Sequence, residues 1–355
     1  MSAAQHDNTL YDHALRLHEL TPDEPLPRDG QPFPDEQRHG GRRWRGEDPR
    51  FIGADVAVLL DRHFADAAAP PSALAEAFHD VHVPIHPNEH IEAAALRADR
   101  QRVWETGRWL VRHAADRCAV TVGLALLAAD WHEEDIPLIR TIGLLSNHFG
   151  PLAARALDRR EGAAETLLWL AQRVAGWGRV YVVRSLARHW TAPQARRWLL
   201  RHSCDGDYLN GYFAGQVATV AQLHHAITTG ETDDELIEHT GRLLVIMADC
   251  EGMGTTLQHY PPAFAVLTAH ATHFARLEPS TRRYIDAAVI ADRLAADPEK
   301  RGCTAAQADD LVRRYLDVLN RPEWCAAGAA MDGEYATWFA DHEAVRLRLR
   351  AFGDY

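Results

Sequence analysis

The chain has a single lysine, Lys300, and its five cysteines, Cys118, Cys204, Cys250, Cys303 and Cys325, never form a CxxC pair. Thiols scattered in this way exclude a disulfide framework and a zinc knuckle, and point to reduced, buried cysteines. Long apolar runs are missing too. LLVIMA at 243–248 is one of the longest, far short of the roughly 20 residues that cross a bilayer. The N-terminus MSAAQHDNTLYDH has no apolar secretory centre, so a cytoplasmic protein without a membrane segment is expected. Strand signals are scarce: only VYVV at 180–183 hints at one, and its place inside a helical period predicts helix.

Catalytic signatures are also lacking. CEGMGTT at 250–256 has two glycines but neither a lysine nor a preceding strand, so it reads as a helix break and not as a phosphate loop. Ser185, Ser203 and Cys204 have no nucleophile elbow and no recognisable base. HDVHVPIHPNEH at 79–90 sets His79, His82, His86 and His90 close together. Pro84 and Pro87 keep them off one helix face, and the pattern is not HExxH, so a solvated loop is expected in place of a metal site. The acids of ETDDE at 231–235 fit a helix start. No catalytic residue, cofactor or metal is assigned.

Hydrophobic residues make up 46% of the 355 and charged residues 25%, which fits a folded chain long enough for a sizeable core. The net charge of −12 argues against a nucleic-acid coat protein, although a local basic face remains compatible with it. Arginine-rich, alanine-rich composition matches a high-GC, bacterial genome, so the arginine total carries no functional message by itself.

An internal repeat is present. RWLVRHAAD from Arg108 and RWLLRHSCD from Arg197 agree at six of nine positions, and RALDRREGA from Arg155 and RLLVIMADC from Arg242 continue the series at intervals of 47, 42 and 45 residues. A second thread aligns Arg140, His148, Phe149, Pro151 and Arg155 with Arg184, His189, Trp190, Pro193 and Arg197. Between these marks apolar residues recur at helical spacing, as in Leu236, Ile237, Thr240, Leu243, Leu244 and Met247. Thr191 with Gln194, Thr232 with Glu235 and Thr304 with Gln307 have capping-box spacing.

With this period, with Pro151 and Pro193 near helix starts and with recurrent Arg and Asp, the chain resembles the HEAT-like, armadillo-type repeat family over roughly 92–320. The resemblance implies an all-α, α–α superhelical solenoid, with Asp and Arg, including Asp116, Asp205 and Asp249, laddering between neighbouring units. The expected organisation is an irregular N-terminal extension at 1–50 with a short helix at 8–20, a capping helix (55–65) and the His-rich loop at 51–91, repeats at 92–320, and capping helices at 321–355, one of them at 334–350.

Arginine spacing supplies the candidate site. Arg108 and Arg112, Arg155 and Arg159, and Arg197 and Arg201 are each four apart and share a helix face. Residues 166–204 hold seven arginines and no Asp or Glu. If equivalent helices stack, these pairs form a basic stripe, with Trp198 beside it, for an acidic partner or a phosphate backbone. The opposing expectation is that repeat arginines face carboxylates of the next unit and tryptophans fill the core. The chain is therefore read as a non-catalytic scaffold for a protein partner. The alternative is a nucleic-acid-binding or repair protein resembling HEAT-like alkylpurine DNA glycosylases, with Asp130 or Asp135 as the acid.

Overall fold

The computed structural model describes residues 9–39, 49–129, 132–229 and 232–353, and no strand occurs among them. The chain forms two compact units, Met1–His189 and Trp190–Tyr355. Asp130 lies outside the described residues, as do Asn8 and Glu231.

The first unit contains α1 (Leu10–Leu20), α2 (Glu36–His39), α3 (Ala54–Ala65), α4 (Pro71–Ala77), α5 (Glu89–Arg97), α6 (Arg100–His113), α7 (Arg117–Ala128), α8 (Ile136–Gly143), α9 (Ser146–Asp158), α10 (Ala163–Ala171) and α11 (Gly176–Leu186). Consecutive helices pair as hairpins: α6 with α7, α8 with α9, α10 with α11. Alternate helices then make two rows, one through α5, α7, α9 and α11 and the other through α4, α6, α8 and α10. α7 explains why the rows hold together, because its residues from Ala119 to Ala128 are all buried; a helix apolar on every side has to be covered on every side.

Two glycine contacts set helix spacing. A Cβ on Gly123 would lie 2.8 Å from Leu110 Cβ, so α6 and α7 approach at backbone distance. Gly150 of α9 faces Gly178 of α11, where a Cβ on Gly150 would sit 3.5 Å from Gly178 Cα and one on Gly178 would collide with Ser146. VYVV belongs to α11. Pro151 sits well inside α9 and not at its start.

The N-terminal lead is irregular but docked. Arg28 and Asp29 take left-handed backbone angles (φ 51° and 54°) within a short 3-10 turn, Pro27–Gly30. Such angles cost about 1–3 kcal/mol each for residues with a Cβ. The compensation lies on α9: Asp29 accepts the amides of Ser146 and Asn147, both at 2.9 Å, and the Ser146 hydroxyl at 2.7 Å. Further on, Asp35 is buried and accepts Arg117 Nη2 at 2.9 Å and the Arg117 amide at 2.7 Å. Phe33 stacks on Phe149.

The second unit contains α12 (Pro193–His202), α13 (Ala214–Val220), α14 (Leu223–Thr228), α15 (Asp234–Asp249), α16 (Ala263–Phe274), α17 (Thr281–Ala296), α18 (Ala305–Leu319), α19 (Pro322–Ala329), α20 (Gly333–Phe339) and α21 (Val345–Leu347). Rows form here as well, through α13, α15, α17 and α19 and through α14, α16 and α18. On α15 the buried residues include all six of the predicted apolar series, and the helix breaks after Asp249 where Gly252 turns left-handed (φ 82°). The C-terminal helix expected at 334–350 is divided, with a π turn at Ala340–Ala344 between α20 and α21.

Of the three capping boxes, only Thr304 with Gln307 forms. Pro193 occupies the first turn of α12 and Ala192 the cap position, so Thr191 stands outside the helix. On α15 the cap is Asp233, which accepts the Leu236 amide at 2.8 Å; one residue's displacement removes Thr232 from the role.

Candidate functional site

The six predicted arginines divide between the units, four in the first and Arg197 and Arg201 in the second. Several are engaged within the fold. Arg108 Nη1 lies 3.1 Å from Glu134 and its Nε 3.1 Å from buried Asp135, while its guanidinium covers Trp104 at 4.9 Å. Arg112 pairs with Asp12 at 2.9 Å and covers Tyr11. Arg159 donates to the Ala128 carbonyl at 2.6 Å. Arg201 pairs with Asp233 at 2.9 Å, and exposed Arg197 adds to the field on that carboxylate. Trp198 is only 7% exposed and is part of the second unit's core, so its indole is not a surface group.

Of the three acids expected to ladder, Asp249 meets an arginine of a later helix, Arg293, and Asp158 and Glu238 make similar pairs with Arg188 and Arg283. Asp116 instead caps α7 through the Cys118 amide and meets His79, and Asp205 accepts the Asn210 side chain. Asp135, one of the two acids of the repair reading, is sealed in the first unit between Trp104 Nε1, at 2.9 Å, Arg108 and Arg160. Burial raises its pKa against these donors.

Arg155 differs. Its Nε is closed to solvent and has no hydrogen-bond partner among the described residues. A buried donor without an acceptor costs about 1–3 kcal/mol, so its surroundings matter. Arg155 borders a cleft of about 330 Å³ with Arg184, Arg188, Tyr181, His86 and Ser185. Among the described residues no Asp or Glu lines this cleft. Arg184 is exposed, and among the described residues no hydrogen bond or ion pair holds it.

Local sequence accounts for this placement. Trp177, Tyr181, Arg184 and Arg188 follow one another at intervals of four, three and four, which keeps them on one side of α11 and the turn after it. The Gly150–Gly178 contact draws α9 against α11, bringing Arg155 and Pro151 beside that side. Asn147 of α9 fixes the register by accepting the Gly178 amide at 3.0 Å, a cap supplied to α11 from its neighbour. Trp177, 39% exposed, stacks on Tyr181 at 6.0 Å, and His86 packs edge-on to Tyr181 at 5.4 Å.

Electrostatically the cleft is positive. Desolvation lowers the His86 pKa, leaving the ring neutral at pH 7, and burial raises that of Tyr181, keeping its hydroxyl a donor. Arg188 alone has a carboxylate, Asp158 at 2.8 Å, which also meets His189 Nε2 at 2.7 Å. Burial pushes the Asp158 carboxyl up, but its bonds to Arg188 and His189 outweigh this and hold it below the usual range. Ser185 Oγ accepts a second Arg188 bond at 2.8 Å. Counting Arg155, Arg184 and Arg188 against Asp158 leaves two positive charges.

Other cavities among the described residues have no arginine excess in their walls. In the first unit Arg140 lies 3.6 Å over Trp169 in a cavity of about 400 Å³, but Glu161 and Glu165 line it as well. In the second, a cavity of about 460 Å³ around Tyr260, His224, His225 and Pro262 has no Arg, Lys, Asp or Glu in its wall among the described residues. The histidines at 79–90 go to separate neighbours: His79 to Asp116, His86 to Tyr181, His90 to the Arg50 carbonyl. Among the described residues no group of three or more His, Cys, Asp and Glu is placed to hold a metal, and no helix is long and apolar enough to cross a membrane.

Comparison with protein-family models, with curated proteins and with solved structures gives no match to this chain. Its class is that of an all-α protein of paired helices. Of the predicted arginines the cleft contains only Arg155. Arg184, Arg188, Tyr181 and Trp177 were within reach of the sequence through the acid-free arginine run at 166–204.

Proposed function

We propose that this protein is a non-catalytic, HEAT-like helical scaffold that binds an acidic segment of a protein partner through the Arg155–Arg184–Arg188 cleft. The observation that carries the reading is a concave, three-arginine wall without a carboxylate in it, in a chain whose net charge is −12. Guanidinium forks bind carboxylates or phosphates with paired, charge-assisted hydrogen bonds. Helical rows of the kind seen in each unit commonly present such surfaces.

A second reading, nucleic acid, is favoured by the exposed Trp177–Tyr181 stack beside these arginines, since bases stack on aromatic side chains. Its weakness is extent: a backbone has a charge at every nucleotide, whereas Arg108, Arg112 and Arg201 are already paired. The two readings separate in one titration of a labelled glutamate-rich peptide, a single-stranded DNA and a duplex at 50 and 200 mM salt, about a 10³–10⁵-fold range for a multi-phosphate contact. Peptide binding that Arg184→Glu abolishes supports the scaffold. DNA binding without peptide binding replaces it with the second reading.

A further inference from the structure

We infer that the acidic group this cleft is built for is a phosphoryl dianion on the partner, a phosphorylated side chain, so that docking depends on modification. The inference rests on the scaffold reading and adds the chemical class of the ligand.

Charge count is the first argument. Arg155 and Arg184 have no hydrogen-bonded or ion-paired acid among the described residues, and Arg188 shares Asp158 with His189. The resulting excess of two positive charges is neutralised by one phosphoryl group, which brings about −1.5 to −2 at pH 7. One carboxylate leaves an arginine uncompensated.

Donor number is the second. Arg155 borders the cleft with no hydrogen bond to its guanidinium among the described residues, Arg184 brings a whole guanidinium, and Arg188 retains donors beyond those given to Asp158 and Ser185. Three guanidiniums donating in pairs offer more bonds than the roughly four acceptor sites of a carboxylate take up, and they suit the three terminal oxygens of a phosphate ester. The third is shape. The cleft, at about 330 Å³, holds a phosphate with the side chain bearing it, and Pro87, Pro151 and Ala154 supply apolar wall for that chain. A longer nucleic-acid strand finds the next arginines of the same unit, Arg108 and Arg112, held by Glu134, Asp135 and Asp12.

The test is fluorescence anisotropy on the full chain with three labelled peptides, Gly-Gly-X-Gly-Gly, where X is serine, glutamate or phosphoserine. The expected result is phosphoserine binding at least about tenfold tighter than glutamate, a difference of about 1.4 kcal/mol, with serine weakest. Arg184→Gln, on an exposed side chain, should bring phosphoserine to the glutamate level while the thermal transition stays in place. Arg155→Gln should do the same, and Arg184→Gln keeps the test valid if Arg155→Gln fails to fold. Equal binding of glutamate and phosphoserine, abolished by Arg184→Gln, overturns the phosphoryl inference and leaves the scaffold reading intact. Failure of both peptides overturns the two together. Inorganic phosphate competing at the peptide's own Kd overturns the partner-borne phosphate in favour of a free phosphorylated small molecule.

Discussion

Asp29 and Ser146 are 117 residues apart, yet one oxygen of the Asp29 carboxylate accepts both the amide and the hydroxyl of Ser146 while the other accepts the Asn147 amide. A segment that composition marks as an irregular lead therefore closes the N-terminus of α9, the helix that carries Arg155. α9 has no side-chain cap of its own, its cap position being Leu145. The carboxylate thus satisfies orphan amides and faces the positive end of the helix dipole. Burial still raises the Asp29 pKa against these bonds.

Replacing Asp29 with alanine removes all three bonds and should lower unfolding free energy by about 1–3 kcal/mol. Asp23, exposed and paired only at the surface with Arg173, should cost about 0–1 kcal/mol on the same change. Urea unfolding of the two variants checks the contrast, and equal losses would show that the Asp29 cap contributes nothing beyond a surface pair.

Gly178→Ala tests the approach of α9 to α11. Helix propensity alone favours alanine by about 0.5–1 kcal/mol, but the new methyl collides with Ser146, and overpacking costs about 1–3 kcal/mol. Steric cost should win, giving a net loss of stability together with weaker anion binding as Arg155 and Arg184 move apart. A variant with a raised melting temperature and unchanged binding would refute the role given to this contact.

How far the sequence reached depended on the distance over which each feature is decided. Helices such as α15 are legible because Leu236, Leu243 and Met247 repeat within a few turns of one another, and the period of its neighbours marks VYVV as helix. Cap positions were legible only where no competitor stood nearby. Thr304 keeps its box, whereas Pro193 displaces the start of α12 past Thr191 and Asp233 takes the place of Thr232.

The cleft lay beyond that range. Spacing put Arg108, Arg112, Arg155 and Arg159 on shared faces, but whether a guanidinium is paired or open is decided by carboxylates from remote segments. Asp12 reaches Arg112 across 100 residues, and Arg201 is held by Asp233, 32 residues away. No remote acid reaches Arg155 or Arg184 among the described residues; the acid-free run at 166–204 announces this for Arg184 and not for Arg155.

Asp158→Asn should strengthen anion binding. It withdraws the one carboxylate that holds Arg188 among the described residues, freeing the donors Arg188 gives it and raising local positive potential. With screening at physiological salt the gain should be about three- to tenfold in affinity for the phosphoserine peptide. Because Asp158 is largely buried and also holds His189, about 1–2 kcal/mol of stability should be lost at the same time. Anisotropy titration decides the matter, and an unchanged or weaker Kd would place Asp158 as an organiser of Arg188 and not as its competitor.

His270 contributes one pH-dependent part to the stability of the second unit. The ring is 2% exposed, its Nδ1 lies 2.8 Å from the Tyr315 hydroxyl, and Phe274 stacks beside it. Burial, with a smaller contribution from His273, lowers its pKa from 6.5 to about 3. In the unfolded chain the ring takes up a proton near pH 6.5, whereas the folded protein refuses it until about pH 3. Unfolded protein thus binds more protons between these values, so this contribution is complete above pH 6.5 and is lost as pH falls toward 3. Between pH 7.5 and 5.5 the loss from this one group should be about 1.4 kcal/mol. His270→Gln removes the titration, so the variant should be less stable at pH 7.5 yet show a shallower decline, by that amount, in urea unfolding at the two pH values. Parallel declines in the two proteins would mean that the ring does not titrate as its burial requires.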